Sequence, residues 1–194
     1  MTTSALPSRK INSALIADWA VIVLTLLALI AGGLVKSGVE NRSIPFEASG
    51  ISAQTPLGWM TTSVKGAEIL HVTDLLSSGF GTTYILQDIP VASDAVVGQV
   101  VSLLTLQYGQ DLTAFRVLEQ KQVTVYGQPA YEIGYVFVES NPNLTHNEIP
   151  NVVRGLDYIF MADGHAVVAT YRAGESTYSS DLGRFLQFLR TLKF

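Results

Sequence analysis

The stretch LDYIFMADGHAVVATYR, residues 156–172, decides the reading of this chain. Asp163-Gly164 stands between two apolar runs, and a two-residue loop joining antiparallel strands needs left-handed backbone, which Asp-Gly adopts with little strain. The spacing predicts a hairpin of strands 156–162 and 165–172. Neither strand alternates: Tyr158-Ile159-Phe160-Met161 and Ala166-Val167-Val168-Ala169 are apolar on both sides of the pleat. A sheet that is apolar on both faces has to be covered on both faces, so helices are expected above and below it.

Working outward, residues 177–192 carry Tyr178, Leu182, Phe185 and Leu189 at helical spacing, with Asp181, Arg184 and Gln187 on the other side. Upstream, strands 116–125 and 130–139 flank Tyr126-Gly127-Gln128-Pro129, and Tyr131, Ile133, Tyr135 and Phe137 share one face. Residues 93–108 place Val97, Val100, Val101, Leu104 and Tyr108 on one helical stripe, with Gly98, Ser102 and Thr105 opposite. Ser93 is positioned to cap that helix and Asp94 to complement its dipole. Strands are expected at 50–55, 68–75 and 83–89, separated by Pro56-Leu57-Gly58-Trp59 and by Ser77-Ser78-Gly79-Phe80-Gly81. Seven strands and two helices in this order make an α+β domain, one antiparallel β-sheet flanked by two helices, over residues 44–194.

The first forty residues are of another kind. WAVIVLTLLALIAGGLV, residues 19–35, has no charge and only Thr25 is polar. Extended to residues 16–35, it matches a hydrocarbon core of roughly 30 Å at about 1.5 Å per residue and is expected to be a single transmembrane helix. Residues 1–15 form a short N-terminal segment, and residues 36–43 have the composition of a tether. Arg9 and Lys10 before the span balance Lys36 and Arg42 after it, so basic residues do not orient the helix. The short leading segment favours an N-terminus in the cytoplasm and the domain on the extracytoplasmic side. A cleaved signal peptide is the competing reading, with Ala31-Gly32-Gly33 as its weak cleavage site, but seventeen apolar residues exceed the 7 to 15 of a typical apolar signal region. On the helix, Asp18, Val21, Thr25, Ala28, Gly32 and Val35 share one face. Small and hydroxylated residues there allow another helix to approach, so Asp18, Thr25, Ala28 and Gly32 are read as a helix-docking face.

Composition narrows the function classes. Charged residues make up 14% of the 194 against a globular norm of roughly 25%, and mean hydropathy is +0.32. Both agree with a membrane component. Twelve basic residues against sixteen acidic ones give a net charge of -4, so nucleic acid is not an expected partner. The absence of cysteine removes disulfides, thiolate nucleophiles, iron-sulfur clusters and cysteine zinc sites.

The order of elements resembles the PsbP-like family: a strand, the Pro56-Leu57-Gly58-Trp59 turn, two strands, a helix, antiparallel strands closing in the Asp163-Gly164 hairpin, and a terminal helix ending at Leu192-Lys193-Phe194. The resemblance covers residues 44–194 and implies an αβα sandwich. It also implies a largely non-enzymatic role, since the family includes an extrinsic lumenal subunit of photosystem II, assembly factors of photosynthetic complexes and bacterial lipoproteins. The anchor preceding the domain departs from the soluble photosystem subunit. No catalytic, cofactor or metal residue is carried over.

The residues themselves offer little chemistry. His71, His146 and His165 are the only histidines and form no metal-ligand spacing. His71 and Asp74, three apart in a strand, are read as surface residues on opposite faces, and His165 as a solvent-facing hairpin residue. The serines of 77–81 lack the G-x-S-x-G arrangement of an exposed nucleophile and read as a mobile strand connection, and no phosphate-cradling glycine loop occurs. Residues 140–155, SNPNLTHNEIPNVVRG, form a long connection of turn-forming composition, in which His146, Glu148 and Arg154 are candidates for contact with a partner. The expectation is a non-catalytic, single-pass accessory or assembly subunit of a larger membrane complex, photosynthetic or electron-transporting, without cofactor, whose partners are integral membrane subunits. The alternative is an anchored ligand-binding or sensory domain.

Overall fold

The computed structural model describes residues 13–40, 42–77, 79–139 and 150–194, in two compact units, Met1–Arg42 and Ser43–Phe194. Among the described residues of the first unit there is one helix, α1 (Ser13–Glu40), of 28 residues. It runs on through residues 36–40, where a tether was expected. Propagating a helix adds one hydrogen bond per residue, and Gly38 alone does not stop it. Among the described residues no helix is long and apolar enough to cross a membrane. In α1 the described side chains form one continuous run of thirteen, residues 21–33, which is about 20 Å of helix.

The second unit contains β1 (Ser43–Ala48), β2 (Ile51–Pro56), β3 (Met60–Thr61), β4 (Glu68–Asp74), β5 (Thr82–Pro90), α2 (Val97–Asp111), β6 (Arg116–Val125), β7 (Gln128–Glu139), β8 (Asn151–Ala162), β9 (His165–Gly174) and α3 (Tyr178–Thr191). Seven strands form one sheet in the order β3-β4-β5-β9-β8-β7-β6, and β1 and β2 form a separate hairpin. Every neighbouring pair is antiparallel. The chain reaches the middle of the sheet at β5 and leaves it along α2. It re-enters at the far edge as β6 and returns strand by strand until β9 lies beside β5.

The hairpin at Asp163-Gly164 forms as expected, with Ala162 opposite His165 and Gly164 at φ 77°. Both faces of its strands are covered. On one side α2 packs Val100, Val101, Leu104 and Tyr108 against Ile133, Tyr135, Phe137, Val153, Ile159 and Val168. On the other, α3 packs Tyr178, Phe185, Phe188 and Leu189 against Tyr84, Tyr158, Phe160, Val167, Ala169 and Tyr171. Phe185 sits at the centre of an aromatic cluster, its ring 5.2 Å from both Tyr84 and Tyr171. Burying such a side chain contributes roughly 2–3 kcal/mol.

Among the described residues nine strands form where seven were expected. The additional ones are β1, at the end of the expected tether, and the two-residue β3. The first hairpin turns on Ser49-Gly50, both left-handed at φ 53° and 78°. It is tied to the end of the chain by a bridge from Ser52 to Lys193 and by the Gln54 amide donating to Thr191 Oγ1 at 2.8 Å. The α2 helix starts at Val97, four residues after the expected Ser93 cap, and Val96 at its N-cap makes no side-chain cap bond. The intervening residues close a turn instead, Ala95 N–H donating to Ala92 O at 2.9 Å. Strand β8 begins at Asn151 rather than 156, because residues 151–155 continue the ladder with β7 and residues 153–155 that with β9.

Candidate functional site

Two neighbouring rows of the sheet under α2 carry the polar interior. In one, Tyr135 on β7 lies opposite Gly155 on β8, and Gly155 opposite Arg172 on β9. In the next, Ile133, Asp157 and Thr170 are aligned across the same strands. Strand alternation therefore points Tyr135, Asp157, Thr170 and Arg172 to one face, where Tyr108 of α2 covers them. Asp157 and Tyr135 are fully buried, at 0% exposure. The Tyr135 hydroxyl donates to Asp157 Oδ1 at 3.3 Å and accepts from Arg172 Nε at 3.0 Å, so a phenol links cation to anion. The half-buried Arg172 guanidinium also lies over the rings of Tyr108, Phe137 and Tyr135 at 5.2, 5.5 and 5.9 Å, where ring quadrupoles attract it.

Burial pushes the Asp157 carboxyl up to about 6, against the pull of the Arg172 charge and, more weakly, of the Thr170, Tyr108 and Tyr135 hydroxyls. Burial also raises the Tyr135 and Tyr108 phenols well above their ordinary range. Among the described residues Asp157 Oδ2 and the Tyr108 hydroxyl make no hydrogen bond of good geometry, although the Tyr108 and Thr170 hydroxyls lie near enough to favour the anion. The carboxylate is therefore less well satisfied than a buried anion requires. The arrangement holds a proton readily but exposes none of it to a substrate. Its chemistry is that of a buried carboxyl, raised to about 6 by burial, joined through a phenol to a guanidinium.

The outer surface carries its charge near β6, one edge of the sheet. Lys121 donates to Glu119 at 2.9 Å and reaches Glu132 on β7 at 3.0 Å. Beyond them Arg154 lies over the Tyr178 ring at 4.2 Å and 3.7 Å from Glu175. Glu119, Glu132, Arg154, Tyr158, Tyr178 and Leu182 line a groove of about 290 Å³ between the strands and α3. A wider groove of about 510 Å³ opens beside Val97, Gln122, Pro129, Tyr131 and Met161.

Of the residues expected at a partner-contact loop, Arg154 belongs to β8 and is engaged by Tyr178 and Glu175. His146 and Glu148 lie outside the described residues. Of the helix-docking face, Thr25, Ala28 and Gly32 are exposed on α1, and the Asp18 side chain lies outside the described residues. The Thr25 hydroxyl donates to Val21 O at 2.9 Å, which leaves it an acceptor toward another helix. Among the described residues no group of three or more histidines and carboxylates could hold a metal ion.

Three readings of single residues change. His71, read as a surface residue, is partly buried and pairs with Glu68 at 3.3 Å, across the register shift between Glu68 and Leu70. His165 is not simply solvent-facing: its Nδ1 is 2.8 Å from Asp88 Oδ1 on β5. Ser77 organises its turn, its hydroxyl donating to Asp74 O at 2.9 Å and accepting from Thr82 N–H at 2.8 Å. Sequence reasoning passed over Asp157 and Arg172. The available signal was a carboxylate and a guanidinium in strands expected to be covered on both faces, a placement that requires them to find partners.

No family model matches the chain, and no curated protein matches it. Solved structures do. The solution structure of cyanobacterial PsbP (CyanoP) from Synechocystis sp. PCC 6803 matches with a TM-score of 0.55 and 16% identity, over 78% of this chain and 91% of that one. A crystal structure from Bacteroides thetaiotaomicron matches with a TM-score of 0.52 and 8% identity, over 79% of this chain and 48% of that one. The Ran-binding protein Mog1p of Saccharomyces cerevisiae matches with a TM-score of 0.49 and 13% identity, over 78% and 95%. Identities this low speak for fold and not for activity, and on the match to the cyanobacterial PsbP structure the fold of this chain is PsbP-like.

Proposed function

We propose that the chain is a non-catalytic, single-pass membrane protein whose PsbP-like domain, on the extracytoplasmic side, serves as an accessory or assembly subunit of a larger membrane complex. The observation that carries the reading is the uncharged run of residues 19–35 lying within the 28-residue helix α1. At about 1.5 Å per residue, the sequence of residues 16–35 would match a hydrocarbon core of roughly 30 Å. Burial of the perturbed carboxyl favours a binding role over a reacting one: Asp157, raised to about 6, is fully buried. A photosynthetic or other electron-transport complex is the specific partner proposed, by analogy with the cyanobacterial PsbP that shares the fold.

Membranes expressing the full chain should retain it through high-salt and alkaline washes and release it in mild detergent together with stoichiometric integral subunits. Release by salt alone, or a detergent-purified chain that is monodisperse and unaccompanied, overturns the proposal.

A further inference from the structure

The two edges of the seven-stranded sheet are unequal. One ends in β3, two residues long, and the other in β6, ten residues long. Its pairing with β7 shifts register between Val117 and Glu119, so the regular edge runs from Glu119 to Val125, and the outward backbone donors and acceptors of that part are what another strand can meet. From Leu118 to Gln122 every side chain of β6 is exposed, and grooves flank the strand on both faces. On the α2 side, Ser102, Thr105, Leu106, Gly109, Gln110 and Gln120 line one of about 650 Å³, and α2 carries no charged residue before Asp111.

The order of charges on β6 says what fits there. Read outward from Gln120, the strand has Glu119 on one side and Lys121 on the other, then Leu118 and Gln122, then Val117 and Val123. Turned antiparallel against itself about Gln120, it sets Glu119 opposite the second copy's lysine and Lys121 opposite its glutamate. Regular pairing reaches from Glu119 to Lys121 in each copy and ends at Leu118, where the register of β6 shifts. No like charges meet. Opposite charges directly across an antiparallel pair stabilise it and like charges destabilise it, and a two-fold contact uses the same patch on both partners.

We infer that β6 is a dimerisation edge, at which a second copy of this chain pairs antiparallel about a two-fold axis through Gln120 and continues the sheet across both subunits.

The chain has no cysteine, so single introduced cysteines report the register directly. Opposed Cα atoms in an antiparallel pair are about 4.5–5.5 Å apart, within the range of roughly 4.4–6.8 Å for a disulfide. In the full chain, in detergent and in membranes, Gln120→Cys should therefore cross-link to a dimer under mild oxidation. Gln122→Cys, offset from its own copy by four residues or about 13 Å, should not. Lys121→Glu places like charges at two symmetry-related pairs and should weaken the dimer about tenfold. Glu119→Lys combined with Lys121→Glu restores the opposition and should restore the dimer. Equal cross-linking at positions 120 and 122, the outcome of association through α1 alone, overturns the inference. So does a Lys121→Glu variant as dimeric as its parent, or a monomer at every position.

Discussion

The ring of Tyr135 occupies the space where a side chain at Gly155 would stand: a Cβ on Gly155 would lie 2.1 Å from two of its ring carbons and 2.6 Å from its hydroxyl. The glycine lets the tyrosine lie flat across β8, and that posture carries the hydroxyl to Asp157 and Arg172. Gly155→Ala should destabilise the domain by about 3 kcal/mol, the upper end of ordinary overpacking, because the clash is with a packed ring held at both ends. Adding Tyr135→Ala removes the clash, so the double variant should be clearly less destabilised than the sum of the two single ones in denaturant unfolding.

Asp157 makes the stability depend on pH in an unusual direction. Its folded pKa, about 6, lies above the ordinary carboxylate value of 3.8, so the folded state binds its proton more tightly than the unfolded one. This contribution is fully present below about pH 4 and is lost as pH rises through 6, amounting to ~3 kcal/mol. Asp157→Asn keeps the shape without the titration. The difference in unfolding free energy between Asp157→Asn and the parent should grow in favour of the variant between pH 4.5 and 7.5, and parallel profiles would contradict this account.

Arg172 acts on the same group from the other side. Arg172→Met removes the charge that opposes the desolvation of Asp157 and the donor to Tyr135. Removing that charge leaves the buried carboxyl uncompensated, and the carboxyl should take up a proton instead. The loss should therefore be smaller at pH 5 than at pH 8, a comparison that chemical denaturation at the two pH values resolves.

The first turn of α3 is held to β5 by one short bond, Thr82 Oγ1 donating to Asp181 Oδ2 at 2.6 Å. Asp181 also complements the N-terminal dipole of the helix. Asp181→Ala should cost about 2 kcal/mol, since hydrogen bonds to charged groups contribute roughly 1.5–3. Glu175→Ala, which loses only an exposed pairing with Arg154 at 3.7 Å, should cost less than about 0.5 kcal/mol. Thermal unfolding of the two variants should differ by several degrees.

The proposed span makes its own prediction. Leu26→Arg places a charge near the middle of residues 19–35, where insertion is disfavoured by about 2.5–3.5 kcal/mol. The variant should shift from the membrane fraction toward the soluble or degraded fraction. Leu103→Arg on the exposed side of α2, a residue 52% exposed, should leave the distribution unchanged.

Local chemistry accounts for much of the architecture. Asp163-Gly164 allowed a two-residue loop, the doubly apolar strands beside it demanded two covering layers, and helical spacing named three of the four buried residues of α3, Phe188 being the addition. Turns whose residues are less decisive were harder to read. Ser49-Gly50 opens β1–β2, but that hairpin persists because Ser52 and Lys193, 141 positions apart, exchange backbone hydrogen bonds at 2.9 Å. Tyr126, left-handed at φ 48°, is held in its turn by donating to Leu186 O on α3 at 2.8 Å. Residues 151–155 look like loop in isolation and become strand only because β7 pairs with all of them and β9 with residues 153–155.

The primary structure alone determined what each segment prefers: an uncharged helical span, strands that refuse water on either face, two helices with one apolar stripe each. Those preferences depend on side-chain size and polarity within a few residues. Only the tertiary structure decided which residues from distant strands share a row, because register is set by the pairing of whole strands. It is that pairing which put Asp157, Tyr135 and Arg172 in reach of one another and left the charge pattern of β6 facing outward.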